Sequence, residues 1–94
     1  MIDMDSIITR AGSVMAADLD HEVVLMSIEN GNYYSLTQTS RDIWQHLAQP
    51  VSPSEICRAL HGRYAAPPEV IDAETLRFLD SLLARGLIQR VDLP

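Results

Sequence analysis

Ninety-four residues, 47% of them hydrophobic, suit one globular domain rather than two. Thirteen acidic and seven basic residues leave a net charge of −6, which argues against a nucleic-acid binder, since such proteins carry a basic stripe, and against binding to anionic membranes. The single cysteine, Cys57, excludes an internal disulfide and a multi-cysteine zinc site.

The acidic start Met1-Ile-Asp-Met-Asp5 lacks the apolar stretch of a signal peptide, and no apolar run approaches the roughly 20 residues of a membrane span. A cytoplasmic location is the expectation. Residues 13–19 read as a short first strand, and Leu19-Asp-His-Glu22 as a turn. The run Val23–Ile28 is apolar on both faces, as in a central strand, with Val24, Met26 and Ile28 the better core candidates. Glu29-Asn-Gly-Asn32 is a hairpin turn, because Asn30-Gly31 tolerates positive φ. A second hairpin strand follows at Asn32–Leu36, with Tyr33 and Ser35 on one face and Tyr34 and Leu36 on the other.

Helical signals begin at Thr37, with Thr37, Thr39 and Ser40 all suitable as N-caps and Ile43, Trp44 and Leu47 as the apolar stripe. Pro50 ends that helix. Ser52-Pro-Ser-Glu55 opens the next one as a capping box with proline at the first helical position, and Ile56 and Leu60 face inward. Pro67-Pro68 opens the longest helix, which stops at Gly86. Its apolar residues form one stripe with Ile71, Phe78, Leu79 and Leu82 and another with Leu76, Leu79 and Leu83. That band is wider than a single core contact needs. Leu87–Val91 reads as a tail or a short strand. The expected fold is α+β: a three-stranded antiparallel sheet followed by three helices, winged helix-turn-helix-like, in one domain over 1–94 with its core at about 13–90.

The short strand Asn32–Leu36 is followed at once by a helix, which makes it a candidate free edge able to capture a peptide by backbone hydrogen bonding. Other chemistry is sparse. Cys57 and His61, four apart on one predicted helix, lie side by side. Catalytic pairs draw on a third orienting group, and none stands near in sequence, so Cys57 reads as a small buried group. His21 and His46 read as surface residues. No phosphate-binding glycine loop or paired-carboxylate signature is present.

The order and spacing of several weak motifs are more specific than any one of them. A hairpin starting Glu22-Val-Val-Leu25 and running to Gly31-x-Tyr-Tyr-x-Leu36, a helix with Ile43-Trp44, a Ser52-x-x-Glu-Ile56 helix and Phe78-Leu79-x-x-Leu82-x-x-x-Gly86-Leu-Ile88 together resemble the PqqD family. These are precursor-peptide recognition elements of ribosomal natural-product pathways. The resemblance implies a non-catalytic, cofactor-free protein that binds the leader of a precursor peptide. The leader adds to the third strand of the sheet and packs between that strand and the third helix. The Gly-x-Tyr-Tyr-x-Leu form is similar to standalone recognition proteins of lasso-peptide clusters, whose partners are a leader peptidase and a macrolactam-forming cyclase. Thr37 departs from relatives that carry Asn there, which affects a helix cap and not the groove.

On this reading Asn32, Tyr33, Tyr34, Ser35 and Leu36 supply the backbone pairing. Leu76, Leu79, Asp80 and Leu83 form the opposite wall, with Asp80 a charged rim group for a Lys, an Arg or a backbone N–H of the leader. Tyr34 and Leu36 read as core ahead of ligand contacts, Tyr33 divides evenly between an exposed edge aromatic and a ligand contact, and Trp44 is core. Leu76 and Leu83 are core without the family likeness and evenly divided with it. The rivals are a carrier for a radical-SAM maturase, a winged-helix DNA-binding regulator, and a subunit whose apolar helix stripe is a dimer interface. The charge of −6 and a third helix with only Arg77 and Arg85 as basic residues weigh against DNA.

Overall fold

The computed structural model describes residues 2–91; the expected domain limits at 1 and 94 lie outside them. Along the chain come β1 (Ile8–Arg10), β2 (Val14–Asp18), β3 (Glu22–Ser27), β4 (Tyr33–Thr37), α1 (Gln38–His46), α2 (Pro53–His61), α3 (Pro68–Ala84) and β5 (Ile88–Arg90). The expected three-stranded antiparallel sheet is present, in the order β2-β3-β4, and the three helices follow it. Gly31 makes the β3–β4 turn at φ +72°, a conformation glycine adopts without Cβ clash. Its N–H donates to Ser27 O at 2.8 Å.

The inward face of β3 is the opposite of the expected one. Val23, Leu25 and Ser27 are buried, Val24 and Met26 only partly so, and Ile28 is 58% exposed. Both faces of this run are apolar, so alternation alone expresses no preference. The neighbouring strand decides the matter. Val23 pairs with Leu36 and Leu25 with Tyr34, and directly opposed residues share a face. Leu36 is buried, while Tyr33, opposite Met26, is exposed. The inward side chains Val23, Leu25 and Leu36 join Ile43, Trp44 and Leu47 of α1, Ile56 and Leu60 of α2, and Ile71, Leu79 and Leu82 of α3 in one core.

The helix ends are built from local bonds. Thr37 is the N-cap of α1, and its N–H donates to Ser40 Oγ at 3.0 Å. Ser52 Oγ caps α2 by accepting from Glu55 N–H at 3.3 Å, with Pro53 next in line. The Glu55 side chain stays exposed and does not complete the expected box. At the end of α3, Gly86 N–H donates to Leu83 O and Leu87 N–H to Leu82 O, each at 3.0 Å, with Gly86 at φ +72°. This is a Schellman end.

A second, two-stranded sheet joins β1 to β5, with Ile8 opposite Arg90 and Arg10 opposite Ile88. No pattern in the sequence marks β1. Ahead of it, Ile2 is buried, and its N–H donates to Asp80 Oδ1 at 2.8 Å. Met4 O accepts from Ser54 N–H at 3.1 Å. The N-terminal segment thus straps α2 to α3.

The chain passes from β4 into α1 through Gln38, a non-glycine residue at φ +52°. Left-handed backbone is disfavoured for a side chain with a Cβ. Gln38→Gly is therefore expected to stabilise the fold by about 1 kcal/mol net of the added unfolded-state entropy, a rise of roughly 4–8 °C in Tm. A calorimetric scan checks this; a lowered Tm would show that the Gln38 side chain contributes more than its backbone costs.

Candidate functional site

β4 is the last strand of its sheet, so one side of its backbone is open. Antiparallel pairing decides which groups face that side. Ser27 N–H donates to Asn32 O at 3.0 Å, which makes 27 and 32 a hydrogen-bonded pair. The bonded pairs then recur every second residue, at Leu25 with Tyr34 and Val23 with Leu36. Tyr33 and Ser35 fall between them, and their N–H and C=O groups point to the open edge. Thr37 would be next, but its N–H is taken by Ser40 Oγ. The edge therefore offers two residues with both donor and acceptor free.

The side chains of β4 divide in the expected way. Tyr33 is 70% exposed on the outer face, and Ser35 Oγ donates there to Glu22. Tyr34 is half-buried and Leu36 buried on the helix face. Asn32 is exposed at the turn, just outside the strand.

The opposite wall differs from the expected one. Arg85, the C-cap of α3, places its guanidinium carbon 5.5 Å from the centroid of the Tyr34 ring. Its Nη1 donates to Ser81 Oγ at 2.6 Å. With 3.6 residues per turn, Glu74, Phe78, Ser81 and Arg85 share this flank of α3. Asp72, Leu76, Asp80 and Leu83 lie on the other flank, where Asp80 accepts from Ile2 N–H and Asp72 meets His61 of α2. Leu79 sits between the flanks with no exposure. Leu76, Leu79, Asp80 and Leu83 are thus separated from β4: Leu79 belongs to the core, Asp80 holds the N-terminal strap, and Leu76 and Leu83 pack against the core beside it. The second apolar stripe is present, but its outer leucines, Leu76 and Leu83, are partly buried against the core, on the flank where Asp80 holds the N-terminal strap.

Phe78 and Arg85, absent from the expected site, stand on the flank of α3 that brings Arg85 to the Tyr34 ring. Their signal was present: positions 74, 78, 81 and 85 repeat at spacings of four, three and four. Near the other end of this flank lies a cavity of about 300 Å³, lined by Ile43, Leu60, Tyr64, Ile71, Glu74 and Phe78 among others. Ser40 and Thr39 of α1, just past β4, border it as well. Tyr64 is held in this wall by donating its hydroxyl to Asp42, a buried carboxylate that Arg63 Nε also approaches at 3.2 Å. The site is thus an open strand edge, an aromatic and polar helix flank beside it, and an apolar cavity near its α1 end.

The Cys57–His61 pair does acquire a third group. Asp72 of α3 lies 2.7 Å from His61 Nε2. The thiol is nevertheless a poor nucleophile. Burial, then Asp72, pushes its pKa up from 9.0 to about 11, with Thr75 opposing. Among the described residues no cluster of three or more His, Cys, Asp and Glu is placed to hold a metal, and no helix is long and apolar enough to cross a membrane.

Comparison with known proteins places the family and the fold. The sequence matches the PqqD family, coenzyme PQQ synthesis protein D, over residues 22–88, and the chain belongs to that family. The fold is similar to that of TbiB1, solved in complex with the TbiA(beta) leader peptide, at a TM-score of 0.82 and 26% identity, covering 90% of this chain and 99% of that one. It is also similar to lasso peptide synthetase B1 complexed with the leader peptide, at a TM-score of 0.78 and 22% identity over 87% of this chain and 96% of that one. No curated protein matches the chain.

A thiol pKa raised from 9.0 to about 11 leaves roughly 100-fold less thiolate at pH 8. Iodoacetamide should alkylate native Cys57 at least 100-fold more slowly than the urea-unfolded chain, read by mass spectrometry. Comparable rates would reopen the pair as reactive chemistry. The same shift has a sign for stability: the contribution of the buried thiol is whole below pH 9 and falls away as pH rises toward about 11.

Proposed function

We propose that this chain binds the leader segment of a ribosomally made precursor peptide, as a strand added to β4, and delivers it to a leader peptidase in lasso-peptide biosynthesis without catalysing a step itself. The observation that carries this reading is the open edge at Tyr33 and Ser35, standing beside the Phe78–Arg85 flank of α3. TbiB1, which shares this fold at 26% identity, was solved with a leader peptide. A macrolactam cyclase would be a later partner in the same pathway.

Four ladder bonds contribute about 0.5–1.5 kcal/mol each, and ordering a loose leader costs about 2–5 kcal/mol. The ladder alone does little more than offset the ordering. Leader side chains buried in the groove, at about 1.5–3 kcal/mol each, must supply the rest. A cavity walled by Ile43, Ile71 and Phe78 suits an apolar one. The binding sites in this proposal are the backbone of Tyr33 and Ser35, the Tyr34 ring, and Phe78, Ser81 and Arg85. Leu36 stays beneath as the groove floor. The resulting Kd lies between about 1 μM and tens of nanomolar.

Delivery would use the outer face of the sheet. Met15, Met26 and Tyr33 are directly opposed in one row across the three strands, and Ala17, Val24 and Ser35 form the next. Leader residues paired with Tyr33 and Ser35 extend these rows. Met15, Leu19, Ile28 and Tyr33 are exposed there, so a peptidase resting on this face touches protein and leader together. The family's description as a PQQ synthesis protein supports a second reading, in which the leader is handed to a radical-SAM maturase.

A fluorescent peptide spanning the leader of the cognate precursor, titrated by anisotropy, should saturate on the wild type. Ser35→Pro removes an outward donor and should weaken binding at least 30-fold with Tm little changed, while Ser35→Ala keeps it. Equal affinity in a folded Ser35→Pro protein would refute strand addition. Met15→Asp should leave leader affinity intact and abolish stimulation of leader cleavage by the peptidase; stimulation of the maturase alone would select the second reading.

A further inference from the structure

Arg85 is the basic residue of the groove, and it lacks an acidic partner. Among the described residues the ion pairs are His61 with Asp72 and Arg63 with Asp42, so Arg85 stands in neither. One of its N–H groups goes to Ser81 Oγ, and its plane lies over Tyr34. Glu29, on the hairpin turn, comes near Gly86 and makes no ion pair with Arg85. The side chain is exposed, with most of its five N–H donors unused, in a protein of net charge −6. A guanidinium fork presented in this way matches a carboxylate.

The position of that carboxylate follows from strand geometry. A peptide added antiparallel to β4 bonds twice to Tyr33 and twice to Ser35, and its intervening residue stands opposite Tyr34. Directly opposed residues share a face, and neighbouring strands lie about 4.8 Å apart. This residue therefore points to the helix side, next to the Tyr34 ring and beneath Arg85. The residue two positions earlier stands opposite Leu36 and points toward the cavity between Ile43 and Phe78. The one two positions later stands opposite Asn32, near the turn.

We infer that Arg85 is a specificity-determining residue of the groove, selecting an Asp or Glu two residues after an apolar anchor in the bound peptide. This rests on the strand-addition reading above and adds the chemistry of the cargo to it. Arg85 acts through its charge on a side chain, whereas the ladder reads only backbone, so the two are separable.

The test is a phage-displayed library of random nonapeptides, selected in parallel on the wild type and on Arg85→Glu, with Ser35→Pro as a counter-screen. Edge-dependent clones from the wild type should carry Asp or Glu at one position, two residues after an apolar one. Clones from Arg85→Glu should carry Lys or Arg there. A synthetic consensus peptide should lose about 10-fold in affinity when its acid is changed to the amide, and that loss should vanish on Arg85→Ala. Edge-dependent clones with no acidic preference, or with the same preference on both proteins, would overturn the role of Arg85 and leave strand addition standing. A library yielding no clone that Ser35→Pro rejects would overturn both.

Discussion

Burial of Val23 and Leu25, neither with any exposure, decides the geometry of the whole site. A strand has two faces and two edges, and their parities are linked. Once 23 and 25 face the helices and bond to β4, residues 22, 24 and 26 must bond to β2. The central strand then has no backbone group left over. On β4 the same parity sends Tyr34 and Leu36 inward and leaves Tyr33 and Ser35 with open donors and acceptors. A slip of one residue would bury Tyr33 and turn Leu36 out to solvent. The apolar contacts under the sheet and the hydrogen-bonding potential at its edge are therefore one specification.

The strands and helices of the expected fold were legible because punctuation was strong. Asn30-Gly31, Ser52-Pro53, Pro67-Pro68 and Gly86 each mark a boundary by a local backbone requirement. The inward face of β3 was not legible, since Val23–Ile28 is apolar on both sides and only pairing with β4 breaks the tie. β1 escaped because three residues carry no period, and its partner β5 lies at the far end of the chain. The edge strand was visible in the sequence. The orientation of α3 beside it was not, because which flank turns toward Tyr34 depends on where the N-terminal strap sits.

That strap explains a broad apolar band on α3 without a second ligand surface. Leu76 and Leu83 are partly buried beside Ile2 and the core, so one flank is satisfied internally. The flank facing β4 holds a different mixture, with Phe78 alone among polar and charged neighbours. Division of labour along one helix matches the chemistry of recognition: uniform apolar surface builds cores, while sparse apolar anchors among polar groups discriminate between ligands. The buried Cys57, with its thiol raised to about 11, belongs to the first category despite its histidine and aspartate neighbours.

The single-residue passage from β4 into α1 at Gln38 also sets a limit on the proposed strand addition. The ladder cannot lengthen beyond Ser35, because Thr37 already belongs to a helix cap. A longer edge would add hydrogen bonds and lower the rate of escape. With the proposed Kd near 1 μM and association at about 10⁶ M⁻¹s⁻¹, a bound leader would leave in about one second. On the proposed function, the abrupt end of the strand would act as a timer, holding a leader long enough for one downstream encounter and short enough for the carrier to be reused.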